Sequence, residues 1–422
     1  MREYSNALFR NYSIEVISSD DLLDGVHWKQ HLRVQEFIRQ RKTPIPMKVQ
    51  LTKIPMFDPV LRIQIKPILL LHAIGRITTP AVPNLADISS TWAIIRYIWA
   101  FNMEDGYRNP PLILSNMARE IDFHQKTLLS DEVGMGMAYY LMTNYFDTNE
   151  VIDVSEALKN QSWNVFKQHS GSSDFIFFNE SFKQVYIVEC KGNQTSYDTM
   201  LNQIRRGTEQ VPSIIFQDGR RSISIVVATC MLQNGTKIYV IDPPNGENDN
   251  QFEYSDDFSK DDRIFQAKWL VDDDEEFAMD SRLLGRAKML NFAGIESEAL
   301  AQLPLDVQNY WKRFARTQIK TERLQTEVGR YVGVREIFST IEGLRLELFR
   351  GILEELQESF FVPQVDQTQR IKRGKEPIVP AESYVNQFQE TSFFTKIDEA
   401  SDETNVRSIC RDGTILQFTI RG

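Results

Sequence analysis

The sequence predicts an α/β protein with a central mixed sheet flanked by helices, a mixed N-terminal domain and a mainly helical C-terminal region. Three observations predict this arrangement. Residues 130–242 alternate apolar, strand-like runs with segments of helical period. Between residues 341 and 360, apolar side chains recur at spacings of three and four, which is typical of a helix. The length of 422 residues exceeds that of one compact domain and predicts two or three.

Composition and charge divide the chain into five predicted segments. They are a mixed α/β N-terminal domain (1–125), the central domain (126–245), an acidic linker or loop (246–281), a helical region (282–362) and a C-terminal tail with a hairpin (363–422). Residues 247–280 carry thirteen acidic and three basic side chains. This stretch accounts for the net charge of -10, so the rest of the chain is neutral.

Composition also predicts a cytoplasmic protein with no membrane partner. No stretch reaches the roughly 18 apolar residues of a membrane-spanning helix. The N-terminal residues contain no apolar segment of the kind found in signal peptides. The three cysteines are too few and too scattered for a disulfide framework or a thiolate metal site.

The N-terminal domain shows few clear elements. Strand-like alternation covers residues 47–51 and 60–65, and residues 89–101 have one aromatic and aliphatic face that predicts a helix.

The central domain is predicted to contain a helix, three strands, a helix and two further strands. Their ranges are 130–146, then 163–167, 174–178 and 184–191, then 197–210, and finally 223–229 and 237–241. Ser130 is the predicted N-cap of the first helix. Gly134 and Gly136 in that helix each cost about 1 kcal/mol relative to alanine. Such a cost predicts close approach by a backbone or a substrate.

The C-terminal elements follow from period and turn chemistry. The apolar stripe predicts that residues 282–361 are helical; it consists of Ile341, Leu344, Leu348, Ile352, Leu356 and Phe360. Asp412-Gly413 predicts a hairpin with strands at 408–410 and 414–420.

Charged residues at the end of an apolar strand form the candidate site. Glu189 and Lys191 are two residues apart on a strand, so their side chains leave the same face, and Cys190 points to the other. Asp174 begins the preceding strand, which a short turn should pair antiparallel to this one. The two carboxylates and the ammonium group are therefore expected to meet at one edge of the sheet.

This set of residues suits phosphodiester hydrolysis. Mg²⁺ prefers oxygen ligands and is typically held by one or two carboxylates together with substrate phosphate and water. Asp174 and Glu189 are the expected ligands, and Glu132 is a third acidic candidate on the first helix. Lys191 is expected to orient the attacking water or to neutralise charge at phosphorus. Mn²⁺ should substitute for Mg²⁺.

Asp174, a gap of fourteen residues and Glu189-Cys190-Lys191 resemble the PD-(D/E)xK superfamily of restriction-endonuclease-like nucleases. The resemblance covers about 110 of the 422 residues. It implies a core of a helix, three strands, a helix and a strand, and an Mg²⁺-dependent enzyme that cuts DNA, more often as an endonuclease. It also implies the main-chain carbonyl of Cys190 as a further metal ligand, Lys191 as the catalytic lysine and Glu132 as the acidic residue of the first helix.

The resemblance extends to the helix that follows Lys191, where Gln203, Arg205 and Arg206 are expected to face the phosphates of nucleic acid. Gly207 lies four residues after Gln203, so the Gln-xxx-Tyr pattern of the RecB-like branch is not matched. Family members with extra domains and no motor of their own are often restriction or anti-phage defence effectors. This implies a separate ATPase or other protein subunit as a partner. Paired cutting of a duplex would favour a homodimer.

Two basic clusters are further candidates for contact with nucleic acid, although a basic cluster is more often a solvated helix face. They are Lys29, Arg33, Arg39, Arg41, Lys42, Lys48 and Lys53, and Lys312, Arg313, Arg316, Lys320 and Arg323. Three alternatives to a DNA nuclease stay open. Glu189 and Lys191 form a surface ion pair, or the chain is a catalytically silent assembly subunit with a nuclease fold, or the nuclease acts on RNA.

Overall fold

The computed structural model describes most of the chain in two compact units. The described residues are 8–42, 50–81, 86–101, 109–146, 148, 150–158, 165–167, 173–179, 184–211, 214–216, 222–243, 275–303, 305, 308–309, 320–339, 345–360, 394–400, 403–410 and 412–421. The seven-stranded unit comprises Arg10–Ile77 and Ile95–Ser281. The six-stranded unit comprises Met1–Phe9, Thr78–Ile94 and Arg282–Gly422.

A mixed sheet forms the centre of the seven-stranded unit. Its strands and those of a small neighbouring sheet are β1 (Tyr12–Ile17), β2 (Val60–Ile65), β3 (Glu150–Asp153), β4 (Val165–Lys167), β5 (Phe175–Asn179), β6 (Gln184–Asn193), β7 (Ile214–Phe216), β8 (Ile223–Leu232) and β9 (Gly235–Ile241). The order in the main sheet is β2-β1-β9-β8-β6-β5-β3. β6 and β8 are parallel, as are β1 and β9, and the other neighbours are antiparallel.

Helices cover both faces of this sheet. Along the chain, the described helices of both units that precede β10 are α1 (Asp20–Arg39), α2 (Pro67–Thr78), α3 (Ala86–Tyr97), α4 (Asn116–Glu120), α5 (Phe123–Tyr145), α6 (Val154–Ala157), α7 (Tyr197–Gln210), α8 (Glu275–Phe292) and α9 (Glu296–Ala301). Those that cover the two faces of the seven-stranded sheet at β6 are α5 and α7. α7 connects the parallel strands β6 and β8, and its Gly207 packs against Val226 and Glu189. α5 packs on the opposite face, where a Cβ at Gly192 would lie 1.8 Å from the carbonyl oxygen of Ser130.

The structure confirms a mixed α/β architecture with a large mixed sheet flanked by helices, and it changes two details. The first strand of the central segment is Glu150–Asp153, which pairs with β5. The strand predicted at 163–167 instead pairs with Ile214–Phe216 in the separate two-stranded sheet. The missed strand is short and lies directly before α6, so it shows little alternation of its own.

The structure does not divide at residue 125. β1 and β2 from the predicted N-terminal domain extend the central sheet through the pairing of β1 with β9. The strand predicted at 47–51 falls largely outside the described residues, as does the acidic stretch from 246 to 274. The last acidic residues of that stretch begin α8.

The six-stranded unit contains an antiparallel sheet where a helical region was predicted. Its strands are β10 (Glu322–Gln325), β11 (Arg330–Ser339), β12 (Arg345–Leu353), β13 (Phe394–Ala400), β14 (Glu403–Ile409) and β15 (Thr414–Arg421), in the order β10-β11-β12-β15-β14-β13. Helix α10 (Glu354–Ser359) follows β12 directly. The hairpin at Asp412-Gly413 is confirmed, since β14 pairs with β15 and Gly413 has a φ of 79°.

The helix predicted through residues 345–353 is wrong because the apolar stripe also fits a strand, and Ile341 and Leu344 of the stripe lie outside the described residues. A spacing of four is even, so Leu348 and Ile352 share one face of β12 as readily as one face of a helix. β12 is buried on both faces after its first two residues, which removes the polar alternation that identifies most strands. Only Leu356 and Phe360 of the stripe belong to α10 and its C-cap.

Among the described residues, no helix combines the length and the apolar character that crossing a bilayer requires.

Candidate active site

Antiparallel pairing of β5 with β6 brings the predicted carboxylates together. Phe175 is opposite Val188, so the next position in the same register places Asp174 opposite Glu189. Oδ2 of Asp174 accepts a 2.8 Å hydrogen bond from the main-chain N–H of Cys190. The backbone of β6 therefore fixes the Asp174 carboxylate beside the Glu-x-Lys segment.

Glu189 and Lys191 leave the same face of β6 and contact each other there. Nζ of Lys191 donates to Oε1 of Glu189. Glu189 is fully buried beneath α7, because Gly207 leaves room for it: a Cβ at that position would lie 3.3 Å from Cγ of Glu189. Among the described residues, Oε2 of Glu189 has no hydrogen-bond partner. Glu132 also has such an oxygen, so the feature that distinguishes Glu189 is the second carboxylate, Asp174, beside it.

Burial raises the pKa of both carboxyl groups at this site. Desolvation and, secondarily, the negative charge of Asp174 raise the pKa of Glu189 to about 8, although Lys191 and a hydrogen bond from the main-chain N–H of Asp174 oppose this rise. Desolvation also raises the pKa of Asp174, while the N–H of Cys190 and the charge of Lys191 oppose this rise. A pKa near 8 means that Glu189 holds a proton at neutral pH until a cation displaces it.

The N-terminal part of α5 brings a different acidic residue to the site from the one predicted. A Cβ at Gly134 would lie 3.0 Å from the carbonyl oxygen of Lys191, so the helix backbone almost touches β6. The close backbone approach predicted for Gly134 is therefore confirmed. Asp131 is one turn away on this helix face. Partial desolvation raises the pKa of Asp131 and the positive charge of Lys191 opposes that rise, while the charge of Asp131 in turn raises the pKa of Asp174.

Glu132 lies on another face of α5 and does not join the two carboxylates. Its Oε1 is 3.8 Å from Nη1 of Arg96, and it accepts a hydrogen bond from the Tyr97 hydroxyl. Burial and, secondarily, this hydrogen bond raise the pKa of Tyr97. Successive helical residues point about 100° apart, so Glu132 is directed toward Arg96 and Tyr97 while Asp131 shares the face of Gly134. The assignment of Glu132 as a metal ligand is corrected to Asp131 as the neighbouring acid. The signal was present, because Gly134 shares its face with Asp131 and not with Glu132.

The three residues predicted on α7 have different environments. Arg205 is buried and pairs with Glu209 at 2.5 Å, so it has a partner within the helix and is not free for phosphate. Arg206 is exposed. Gln203 is half-buried, and its Oε1 has no hydrogen-bond partner among the described residues. Gln203 lies one turn before Gly207, on the helix face that covers Glu189.

The donor set fits Mg²⁺ in type but offers few protein ligands. No cluster of three or more His, Cys, Asp or Glu suited to a metal is found in the described part of the chain. Asp174 and the unpartnered Oε2 of Glu189 provide two oxygen donors, which suits an ion that takes one or two carboxylates and completes its shell with phosphate and water. The carbonyl of Cys190 stays a predicted third ligand.

Comparisons with protein-family models, curated proteins and solved structures give no match.

Proposed function

We propose that this chain is a metal-dependent nuclease of the PD-(D/E)xK type that hydrolyses phosphodiester bonds, with DNA as its substrate and an endonucleolytic mode of cutting. The observation that carries the proposal is the meeting of Asp174 with Glu189 and Lys191 on adjacent antiparallel strands. The unpartnered oxygen of Glu189, beside a second carboxylate, supports a cation bound at that point.

The connection of elements around the site supports the same proposal. Along the chain come helix α5, the antiparallel strands β3, β5 and β6, helix α7, and strand β8 parallel to β6. This order and these directions agree with the helix, three strands, helix and strand of the superfamily core. Short insertions, α6 and β4, lie between β3 and β5 without entering the main sheet.

Each side chain has a distinct role in the proposed reaction. Asp174 and Glu189 would hold Mg²⁺, and the bound ion would polarise the phosphoryl oxygen and lower the pKa of a water molecule. Glu189 would release its proton to water on binding the ion. Lys191, anchored beside Glu189, contributes positive charge where negative charge develops on the phosphate. The N–H of Cys190 keeps the Asp174 carboxylate from rotating away.

We extend the proposal to the protein's setting. The sequence contains no G-x-x-x-x-G-K-[ST] phosphate loop, so any nucleotide hydrolysis would come from a separate subunit. This supports a restriction or anti-phage effector that acts with an ATPase partner, and paired cutting of a duplex would need a second copy of the chain.

The test is cleavage of supercoiled plasmid, single-stranded DNA and RNA with Mg²⁺, Mn²⁺ or a chelator. Asp174→Ala and Lys191→Ala should each lower the cleavage rate by about 100-fold or more, because each removes charge stabilisation from the transition state. Glu132→Gln is the matched control, since it neutralises a nearby acidic residue of α5 that contacts Arg96 and not Asp174 or Glu189. Equal cleavage by all proteins would mean a contaminant. No cleavage by the wild type would favour the silent assembly subunit, and cleavage of RNA alone would favour an RNA-directed nuclease.

A further inference from the structure

Helix α1 extends past the edge of the sheet at which β6 ends. A Cβ at Gly25 would lie 3.1 Å from Leu201 of α7, and Nζ of Lys29 lies 2.5 Å from Asp198 near the start of α7. α1 therefore runs antiparallel to α7 and passes its N-terminus near Lys29. The rest of α1 covers about 15 Å. From residue 31 to residue 42, every side chain is at least partly exposed.

This projecting segment, residues 28–42, is called the α1 arm, and its charge differs from that of the whole chain. The arm carries five basic side chains and one acidic side chain, whereas the chain has a net charge of -10. Lys29 and Arg33 form ion pairs with acidic residues. Within the described residues, no ion pair involves the other three basic side chains, Arg39, Arg41 and Lys42, and all three are exposed.

An exposed aromatic ring lies at the base of the α1 arm. Trp28 is 58% exposed, and its ring stacks on His31 with centroids 5.6 Å apart and planes 22° apart. Stacking on one side orients the indole and leaves its other face to solvent. Leu32, one turn along, is 43% exposed. An open aromatic face on the same segment as exposed cations is a combination that proteins use to bind single-stranded nucleic acid.

The end of the α1 arm holds an arginine in a conformation that favours glycine. Arg41 has a φ of 53°, its N–H donates to the carbonyl of Ile38, and the N–H of Lys42 donates to the carbonyl of Phe37. These are the hydrogen bonds of a helix end that usually contains glycine at the left-handed position. A side chain there costs about 1 kcal/mol, so the backbone does not explain the choice of arginine.

We propose that the α1 arm binds single-stranded DNA and leads it to the edge of the sheet that carries Asp174 and Glu189. An unstacked base would lie on the open face of Trp28, because base faces are covered in a duplex. The phosphates would contact the guanidinium and ammonium groups of Arg39, Arg41 and Lys42. The role of the strand as a substrate rests on the proposed nuclease function, whereas its binding does not.

The test measures binding of the full-length protein in a chelator, where no cleavage occurs. Fluorescence anisotropy of a labelled 20-nucleotide oligo-dT should show binding that Trp28→Ala weakens by about 5- to 100-fold, and Trp28→Phe should retain most of it. Trp92→Ala is the matched control, because Trp92 is also 58% exposed but lies in the six-stranded unit. Its affinity should equal that of the wild type.

A second measurement isolates the cations. The triple variant Arg39→Gln, Arg41→Gly, Lys42→Gln should lower the slope of log affinity against log salt concentration by about 2, as expected for three lost contacts with single-stranded phosphates. Arg41→Gly suits the left-handed backbone at that position, so loss of folding is not expected to confuse the result.

Several outcomes would overturn the proposal. They are an unchanged affinity in Trp28→Ala, tighter binding of a matched duplex or of oligo-U RNA than of oligo-dT, and an unchanged salt slope in the triple variant. The two proposals fail separately. If DNA cleavage requires Asp174 but the variants of the α1 arm have no effect, only the proposal for the arm is rejected. If oligo-dT binding requires Trp28 but no cleavage depends on Asp174, only the proposed nuclease function is rejected.

Discussion

Each unit of this protein buries a glutamate in a central strand, and the two glutamates have opposite surroundings. In the six-stranded unit, Glu347 is 3% exposed and its carboxylate oxygens contact Arg345 at 3.0 Å and Arg335 at 3.3 Å. In the seven-stranded unit, Glu189 is fully buried, one oxygen contacts Lys191, and the other has no partner within the described residues.

The difference separates structural burial of charge from functional burial. A buried carboxylate with partners on both oxygens is held in its ionised form and ties neighbouring strands together. A buried carboxylate that lacks one partner and lies beside a second carboxylate raises the free energy of the folded state, and it is retained where a ligand supplies what is missing. By this criterion Glu347 belongs to the scaffold and Glu189 belongs to a site.

The largest effect is expected from removing the scaffold glutamate. Glu347→Ala should lower the free energy of unfolding of the six-stranded unit by about 2 kcal/mol, because it removes a buried carboxylate that joins Arg335 and the partly exposed Arg345. Urea unfolding followed by hydrogen exchange of the β11 and β12 amides measures this change. Glu322→Ala is the matched control, since Glu322 contacts the same Arg335 from an exposed position and should cost less than about 1 kcal/mol. Similar costs for both variants would break the comparison.

An effect of opposite sign is expected at the site. Because the folded state raises the pKa of Glu189 to about 8 from an ordinary value of 4.5, it binds a proton that the unfolded state releases between these two pH values. The stability of the metal-free protein should therefore fall as the pH rises through this window. Glu189→Gln removes this loss and should be more stable than the wild type at pH 8, with the gap closing toward pH 5.

Thermal or urea unfolding of both proteins across pH 5–8.5 in a chelator tests this expectation. Saturating Mg²⁺ should stabilise the wild type and leave Glu189→Gln nearly unchanged. A variant that is less stable than the wild type at every pH would show that Lys191 satisfies Glu189 after all, and the contrast with Glu347 would disappear.

Local pattern was sufficient where one segment fixes its own structure. The ranges of β2 and α7 match the predicted residues 60–65 and 197–210, because both follow from period and from the residues at their ends. The convergence of Asp174 with Glu189 also follows from local information, since a short turn imposes antiparallel pairing.

Local pattern was insufficient where distant segments decide the outcome. β1 pairs with β9, more than 200 residues away, and no periodicity in either strand encodes that choice. β12 resembles a helix because its side chains are buried on both faces after its first two residues, which removes the apolar-polar alternation of a strand. The contact of Gly134 with β6 determines which face of α5 points toward β6. It therefore determines that Asp131, and not Glu132, lies on that face.

The smallest expected effect distinguishes these two acids. Asp131→Asn should lower the cleavage rate about three- to tenfold, because it removes a negative charge that interacts with Asp174 and Lys191. The effect is smaller than that of removing Asp174 or Lys191 because Asp131 interacts with them only through its charge. Glu132→Gln should leave the rate within about twofold and instead loosen the contact of α5 with Arg96. Two quantities should be measured: the rate at saturating Mg²⁺ and the Mg²⁺ concentration that gives half-maximal cleavage. Loss of an acidic residue near the ion is expected to change the Mg²⁺ concentration before it changes the rate. If Glu132→Gln were the more damaging change in both, the face of α5 that approaches β6 would have to differ from the one defined by Gly134.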